Sequence, residues 1–425
     1  MDINIRPMSL LKTDITVKDA PCFNSSMFIK TEDFEKAIRC VQRGCNEGMC
    51  KADSLETLSR KFQVDEVNCM AIFSGNKTDV DEGIRHANET KRPLLSNSFY
   101  LNLTENCDVF KIARGYVTCS MTKEEEEFPI AFSMIVFRDV EMVERLLRAI
   151  YRPQNYYCIH VDAKADKEFF LAVSAVAQCF TNVFLTAERV DVQWGQFSIL
   201  EPELLCMKQL WRYTKWKYFI NLTGQEFPLK TNAQLVKILK AYNGANDLEG
   251  TIKRANLDRW PTKPPRGLRA VKGAVHVIVN RDFVDYILHN ETAKDLLEWV
   301  KGTGVPDETF FATLNHNPQL GIRGSYKGKF NNNVKKTRYK NWFGMYPCAG
   351  QSVRGICILS TGDLPLLFDT KELFANKFYL WEDFLSIGCL EEKLMNDTRD
   401  EFLGVKTFNV SYYESLGFVK NRVVI

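Results

Sequence analysis

Apolar and polar positions follow a regular order after Phe128. Residues Pro129 to Phe137 form a continuous apolar run of strand length, and Glu141 to Tyr151 carries apolar residues at helical spacing. The order continues with predicted strands at 156–162, 182–185 and 217–222 and predicted helices at 167–178, 200–213 and 233–242. This βαβα order predicts a mostly parallel sheet covered by helices on both faces, an α/β fold.

The chain before Phe128 has a different character, because it is polar, irregular in pattern and rich in cysteine. We predict a cysteine-rich accessory segment at 1–60, a stem at 61–127 and an α/β domain at 128–425. Within that domain, residues 243–273 contain three prolines and predict a long loop, a feature that is often functional. Ligands of such sheets bind beyond the carboxyl ends of the strands, so Asp162 and the loop after Leu222 are candidate site positions.

Composition and charge restrict the class of protein. The chain has 425 residues, of which 45% are hydrophobic, so it can build a large core over two or three domain-sized units. Its 56 basic and 53 acidic residues leave a net charge of +3, and no overall field favours nucleic acid. No apolar run reaches the length of a membrane span, and residues 1–20 lack the features of a signal peptide.

The cysteines and glycosylation sequons indicate the secretory pathway. Thirteen cysteines are spread along the chain, a distribution that favours disulfides, and the odd number leaves at least one thiol unpaired or intermolecular. Eight Asn-x-Ser/Thr triplets begin at Asn24, Asn76, Asn88, Asn102, Asn221, Asn290, Asn396 and Asn409. The alternative is a compartment in which the cysteines stay reduced.

Common catalytic motifs are missing from the sequence. It has no glycine-rich phosphate loop, no His-Glu-x-x-His and no convincing Ser/His/Asp spacing. Its one Asp-x-Asp triplet, Asp79 to Asp81, lies in the polar segment, where we predict a solvated turn. We therefore predict no metal site, and a bound nucleotide diphosphate would have to be met by basic side chains.

Six sequence blocks resemble the β1,6-N-acetylglucosaminyltransferases that branch mucin-type O-glycans and polylactosamine. They are RLLRAIYRPQNYYCIHVDAKAD (145–166), CFTNVF (179–184), WKYFINLTGQEFPLKTN (216–232), VPDETFFATLN (305–315), VRGICILSTGDL (353–364) and LFANKF (373–378). The likeness runs through nearly all of residues 69–390. It implies a GT-A glycosyltransferase fold and inverting transfer from UDP-GlcNAc, with no metal or other cofactor.

The resemblance implies a catalytic base at Glu308, in the Val-Pro-Asp-Glu block. A hydroxyl group is a poor nucleophile until a positioned carboxylate accepts its proton, and a single displacement turns an α-linked donor into a β-linked product. The alternative from the residues alone is that Asp307 and Glu308 cap the helix that follows.

Three further residues are implied for the donor. Arg354 and Lys377 match the two basic residues that hold the UDP diphosphate, where they would stabilise charge on the leaving group. Taken singly, each could be a solvated surface charge. Asp162 matches the residue that meets the uridine part, and a simple turn or helix cap is its alternative.

Three further residues are implied for the acceptor. Glu249 and Arg259 match segments that hold the galactose-GalNAc disaccharide, with a salt bridge in an exposed loop as the alternative. In sequence position Trp342 falls near a tryptophan of the family that stacks on sugar, and core packing is its alternative. In the run 271–283, where the resemblance is weaker, His276 alternates with valines, and we predict that it occupies the solvent-facing position of a strand.

The resemblance also implies four disulfides. The pairs are Cys69–Cys389, Cys107–Cys179, Cys158–Cys206 and Cys348–Cys357. Five more cysteines have no counterpart in the family, namely Cys22, Cys40, Cys45, Cys50 and Cys119. They either link parts of the amino-terminal segment or join two chains as a disulfide-linked homodimer.

The expected function is β1,6 branching of the galactose-GalNAc unit, which is core 2 synthesis, on a glycan or glycoprotein acceptor. The alternatives are I-branching of polylactosamine, a xylosyltransferase-like activity, and a catalytically silent glycan-binding homologue. The resemblance implies a type II membrane protein of the Golgi lumen, although this sequence contains no anchor.

Overall fold

The structure is a computed structural model that describes residues 52–253, 255–330 and 335–424. The strands are β1 Ile130–Val136, β2 Tyr156–Val161, β3 Val183–Leu185, β4 Tyr218–Thr223, β5 Glu226–Pro228, β6 Ile278–Asn280, β7 Arg338–Tyr339, β8 Ser352–Val353, β9 Ile356–Cys357 and β10 Phe374–Asn376. The helices up to β6 are α1 Ala52–Lys61, α2 Cys69–Phe73, α3 Lys77–Glu89, α4 Asn97–Leu103, α5 Cys107–Arg114, α6 Lys123–Glu127, α7 Val140–Ile150, α8 Lys167–Gln178, α9 Glu201–Trp211 and α10 Asn232–Tyr242. After β6 come α11 Arg281–His289, α12 Glu291–Val300, α13 Asp307–Asn315, α14 Leu364–Phe368, α15 Phe384–Phe402, α16 Ser411–Glu414 and α17 Gly417–Lys420. Across the described part of the chain, no helix combines the length and the apolar character needed to cross a bilayer.

The central sheet has five strands in the spatial order β3–β2–β1–β4–β6. The pairs among β3, β2, β1 and β4 are parallel, and β6 joins β4 in the antiparallel direction. The predicted elements between residues 129 and 242 agree with the observed ones to within two residues at either end. The prediction of a mostly parallel sheet is therefore confirmed.

Helices cover both faces of this sheet. Alternate side chains of β1 point in opposite directions. On one face, Ser133 donates to Glu203 of α9 at 2.5 Å. On the other, the Phe132 ring stacks on Tyr157, which stacks in turn on Tyr151 at the end of α7. The two-sided covering is confirmed, and it explains why the strand sequences are continuously apolar.

The described residues before Phe128 form helices, although the sequence pattern in this region is irregular. Six short helices occupy 52–127, and α3, α4 and α5 begin at side-chain caps from Asn76, Ser96 and Asn106. Asp79 lies in the first turn of α3, so the Asp-x-Asp triplet is on a helix and not in a solvated turn. Because each helix contributes only a few apolar residues to the core, the polar majority hid the pattern.

Disulfides connect this helical segment to the α/β domain. All four expected pairs are bonded, and Cys69–Cys389 and Cys107–Cys179 each join a helix before Phe128 to the domain after it. Cys119 is also disulfide-bonded, so its thiol is not available to join two chains. Cys22, Cys40, Cys45 and Cys50 lie outside the described residues.

One sequon lies in the core. Asn221 is a buried residue of β4, and its side-chain amide donates to Glu203 and to the backbone carbonyl of Val275. This asparagine is a structural residue and not a surface acceptor for a glycan. Asn24, the first sequon, lies outside the described residues.

Candidate active site

Glu308 lies in the first turn of α13 with its side chain 27% exposed. Its neighbour Asp307 is buried, and burial followed by the proximity of Glu308 raises the pKa of Asp307 to about 7. The N-cap residue of this helix is Pro306, which forms no side-chain cap hydrogen bond. Neither acid is the N-cap residue of this helix, and Glu308 is the member of the pair that reaches the surface.

The backbone before this helix has an unusual conformation. Val305 has a φ of 53°, in the left-handed region that β-branched residues rarely adopt. Its N–H donates to the carbonyl of Gly195 at 3.1 Å, beside the exposed Trp194. Residues held in such conformations cluster at functional sites, because the surrounding structure must compensate for the strain.

Two cations contact the Glu308 carboxylate at the same oxygen. Arg259 Nη1 lies 2.5 Å from Glu308 Oε2, and Lys272 Nζ lies 3.4 Å from it. The Arg259 carbonyl accepts from the Gly304 N–H at 2.9 Å, and Trp260 Nε1 donates to Thr309. The loop expected to bind acceptor is thus held against the block that carries the expected base.

A close backbone approach positions Lys272. The Gly273 N–H donates to the Glu308 carbonyl at 2.6 Å, and a Cβ at Gly273 would lie 2.6 Å from the Ala312 Cβ. Only glycine permits this contact between the 271–273 segment and α13. Lys272 was not among the residues predicted from the sequence, and the one signal near it was the weaker resemblance in the run 271–283.

Glu249 is paired in the structure, although not in an open loop. Its carboxylate contacts Lys335 Nζ, and its side chain is only 15% exposed. The salt bridge that we gave as its alternative reading is therefore present, with a largely buried anion. Arg259, the other expected acceptor residue, has its partner in Glu308 rather than in the loop itself.

Trp342 lies on the surface and pairs with Ile356 of β9 through an isolated bridge. Its side chain is 47% exposed, so the alternative of core packing is wrong. Arg354 and Gly355 form a two-residue turn between β8 and β9 in which both φ angles are positive, as in type I′ hairpins. The Phe343 N–H donates to the Gly355 carbonyl at 2.8 Å. The segment of the expected acceptor tryptophan is therefore joined to the hairpin that carries one expected donor cation.

Lys377 follows β10 in a second sheet of order β5–β10–β7. Its carbonyl accepts from the Leu359 N–H at 2.9 Å, two residues beyond β9. This contact connects Lys377 to the strand that follows the Arg354 turn. The described contacts therefore place Arg354, Lys377 and Trp342 on connected segments, while Glu308, Arg259 and Lys272 form a directly bonded group.

A buried carboxylate, Glu226, connects the two groups. It accepts from Arg338 Nε at 2.8 Å and from Asn376 Nδ2 at 2.9 Å, and it lies 2.5 Å from His276 Nε2. Burial alone would raise its pKa, but Arg338 and His276 hold it well below the usual range. Glu226 thus fastens the strand before Lys377 to the segment after Lys272.

His276 was wrongly predicted to face solvent. It is buried, and burial lowers its pKa to about 3, so the ring is neutral at physiological pH. The alternation with valines was real, but the three-stranded sheet covers this side of the segment and supplies Glu226 as a partner. A pattern along one segment cannot reveal which neighbour covers it.

Known proteins with similar sequences come from one family. The model of the Core-2/I-Branching enzyme family matches residues 130–367. A human β-1,3-galactosyl-O-glycosyl-glycoprotein β-1,6-N-acetylglucosaminyltransferase is 34% identical over 77% of this chain and 85% of its own length. A protein of the same name from Bos taurus is 36% identical over 77% and 84%, and one from bovine herpesvirus 4 is 35% identical over 81% and 90%.

This chain belongs to the Core-2/I-Branching enzyme family. Membership accounts for the order of the matched blocks, and the parallel sheet with helices on both faces fits the GT-A-like fold that the resemblance implied. It also agrees with the oxidised cysteines, because all four pairs expected for the family are present.

The family's expected uridine contact, Asp162, lies directly after β2. Its Oδ1 accepts from the Lys164 N–H at 2.9 Å, which closes a turn, and Lys164 Nζ lies 3.2 Å from its Oδ2. The turn that we gave as the alternative is therefore present. No described contact joins Asp162 to the Glu308 group, so its assignment to the donor stays a prediction.

Potential metal ligands in the described ranges come together in one place, at Cys348, Cys357 and Asp363. The two cysteines are bonded to each other, so neither can supply a thiolate. Asp363 in turn accepts backbone hydrogen bonds from Ala349 and Ser360. This group is best explained as the support of a disulfide loop.

Proposed function

We propose that this protein transfers GlcNAc from UDP-GlcNAc to the 6-hydroxyl of GalNAc in galactosyl-β1,3-GalNAc, and so forms a β1,6 branch on O-glycans. The observation that carries this proposal is the partly exposed Glu308 carboxylate, joined to Arg259 at 2.5 Å. The names of the 34–36% identical relatives support the same linkage and acceptor. The disulfides and sequons favour a compartment of the secretory pathway, and we propose the Golgi lumen.

The proposed reaction is a single displacement. The acceptor oxygen forms a bond to the anomeric carbon of GlcNAc while the bond from that carbon to the β-phosphate oxygen breaks. The hydroxyl proton passes to Glu308, and the bonding electrons leave with UDP. Attack from the face opposite the leaving group converts the α-linked donor into a β-linked product.

Two groups of side chains divide the work in this proposal. Both cations at Glu308 contact Oε2, so Oε1 is the oxygen that takes the proton from the hydroxyl group of the acceptor. Arg354 and Lys377 stabilise the charge that grows on the leaving diphosphate, the task that a divalent ion performs in other nucleotide-sugar enzymes. We therefore propose a reaction without metal. Trp342 offers an apolar ring face for a sugar.

The test is an assay of the purified protein with UDP-GlcNAc and a panel of acceptors, with and without EDTA. We expect transfer to galactosyl-β1,3-GalNAc, a β1,6 linkage in the NMR spectrum of the product, and little change with the chelator. Transfer only to polylactosamine would replace core 2 synthesis by I-branching. Binding of glycan without any transfer would identify a silent homologue, and complete loss of activity with EDTA would contradict the metal-free mechanism.

A further inference from the structure

One cation at this site has no role in the proposed reaction. Lys340 lies between Arg338 and Trp342 on an extended segment, and alternate residues of such a segment point to the same side. Arg338 contacts the buried Glu226, and Trp342 is on the surface. Lys340 therefore lies on the path from the buried carboxylate to the exposed indole, with its Nζ 5.7 Å from the centre of the Trp342 ring.

The other charges near Lys340 already have partners. Glu226 pairs with Arg338, Glu249 with Lys335, and Glu308 with both Arg259 and Lys272. By contrast, no carboxylate within the described ranges forms an ion pair or hydrogen bond with Lys340. Burial lowers the pKa of Lys340 to about 8, and the nearby cations Lys335 and Arg338 add to this effect, while Glu226 and Glu308 oppose it.

The Trp342 ring compensates the Lys340 ammonium in part, but no carboxylate among the described residues pairs with it. The ammonium has lost part of its hydration, it is repelled by two neighbouring cations, and Glu226 and Glu308, the carboxylates that act on it, each already have a cationic partner. A negative group brought by a ligand would offset all three costs, whereas a neutral ligand would offset none. The adjacent indole gives such a ligand an apolar face on which a sugar ring can lie.

We propose that Lys340, beside Trp342, binds an anionic substituent on the acceptor glycan, such as a sulfate ester or a carboxylate. The proposal rests on the proposed function and deepens it, because it gives the enzyme a preference for acidic acceptors over their neutral counterparts. Lys340 is then a specificity residue: it takes no part in proton transfer, and it selects the substrate through charge complementarity.

The experiment compares kcat/KM for galactosyl-β1,3-GalNAc with and without a sulfate at the 3-position of galactose. We expect the wild type to prefer the sulfated acceptor by roughly tenfold and the Lys340→Met variant to lose that preference, with a ratio of about one. Lys340→Arg, which keeps the charge, should retain a preference. Lys208→Met, an exposed lysine of α9, is the matched control and should retain the full ratio.

Two outcomes would overturn the proposal. One is a wild-type ratio of one or below, and the other is an undiminished ratio in Lys340→Met. The rival assignment is that Lys340 binds the donor phosphates, and calorimetry with UDP tests it. Weaker UDP binding by Lys340→Met, together with an unchanged kcat/KM ratio between the two acceptors, would support that rival. If the protein transfers to neither acceptor, the proposed function fails, and binding of the sulfated disaccharide in the presence of UDP still tests Lys340.

Discussion

Two groups of charged side chains in this protein both pair basic residues with glutamates, but one group is buried and the other is partly exposed. The first, which we call the α7 network, joins Arg92, Arg114, Arg145 and Arg148 to Glu141, Glu144 and Glu391, all at most 9% exposed. The second is the Glu308 group, in which Glu308, Arg259 and Lys272 are 23–27% exposed. Ion pairs as short as 2.5 Å occur in both, so distance does not separate them.

Burial and connection separate the two groups. In the α7 network, Glu391 accepts from Arg145 and from Arg148, and the arginines that pair with Glu141 and Glu144 include two from the segment before Phe128. These charges hold helices together. In the Glu308 group, two cations share one oxygen of a carboxylate that solvent can reach. A buried network in which every carboxylate is paired with arginines indicates a structural role. A partly exposed carboxylate whose two cations contact only one of its oxygens indicates a functional site.

Removing the Glu308 carboxylate should have the largest effect on activity. Glu308→Gln keeps the shape of the side chain but cannot accept a proton, so we expect kcat to fall by roughly 10²–10⁴-fold. Calorimetry should find UDP affinity nearly unchanged, because Glu308 is proposed to touch the acceptor and not the nucleotide. Transfer is measured by release of UDP and by the mass of the product.

The control for this variant is Glu291→Gln. Glu291 also lies in the first turn of a helix and pairs with a lysine, but its side chain is 70% exposed and it lies outside the candidate site. It should leave kcat unchanged. If Glu308→Gln turns over as fast as Glu291→Gln, the proposed mechanism is wrong. The Glu308 group would then be a structural set of ion pairs, like the α7 network but at the surface.

The fold could be predicted from the sequence wherever the apolar pattern of a single segment is enough to define its strand or helix. Strand β1 and helix α8 are buried by neighbours of their own domain, and their apolar patterns gave bounds within two residues of the observed ones. The helices before Phe128 gave no such pattern. Helix α2 has only five residues, and a disulfide from Cys69 and a cap from Asn68 help to fix it, neither of which apolar periodicity can reveal.

The candidate site could be predicted only in part. Glu308 and Arg354 were selected by the resemblance and not by any spacing in the chain. The contact between Arg259 and Glu308 joins residues 49 positions apart, and each looked like an ordinary surface charge in its own segment. Lys340 was passed over for the same reason, since its lack of a carboxylate partner among the described residues is a property of the folded surroundings.

The next effect should be on stability, in the α7 network. Glu391→Gln removes the closest charged partner of the buried Arg145 and Arg148, which keep only longer ion pairs of 3.6 Å to Glu141 and Glu144. Breaking such a buried pair typically costs about 3–5 kcal/mol of unfolding free energy. Thermal unfolding at pH 7 measures the loss. Activity per folded molecule should persist at low temperature, because Glu391 lies in α15 and contacts no candidate site residue among those described.

The matched control is Glu298→Gln, which removes an exposed pair with Lys301. Surface pairs contribute little, so its unfolding free energy should change by no more than about 0.5 kcal/mol. Equal losses in the two variants would mean that burial does not distinguish the α7 network from the surface, and the contrast drawn above would fail.

A smaller effect on activity is expected from Arg259→Met. Without the guanidinium, the Glu308 carboxylate keeps Lys272 but loses its closest partner, and the proposed acceptor loses a contact. We expect kcat/KM for the acceptor to fall by roughly 10²-fold, with a larger change in KM than for Glu308→Gln. Arg266→Met is the control, since Arg266 also lies 2.5 Å from a carboxylate, that of Asp295, but is 50% exposed. If both variants lose activity equally, Arg259 has no specific role.

The last test uses acid to weaken the α7 network. Burial alone would raise the pKa of Glu391, but Arg145 and Arg148 outweigh it and lower the pKa to about 2, from an ordinary value of 4.5. A carboxylate whose pKa is lower in the folded state stabilises that state above its ordinary pKa, and this contribution disappears as the pH falls toward 2. The unfolding free energies of wild type and Glu391→Gln should therefore converge by about 2 kcal/mol between pH 7 and pH 3. Glu298→Gln, measured at the same two values, should show no such convergence with wild type. A constant difference between wild type and Glu391→Gln would mean that the Glu391 charge does not provide the stability of the network, leaving packing as its source.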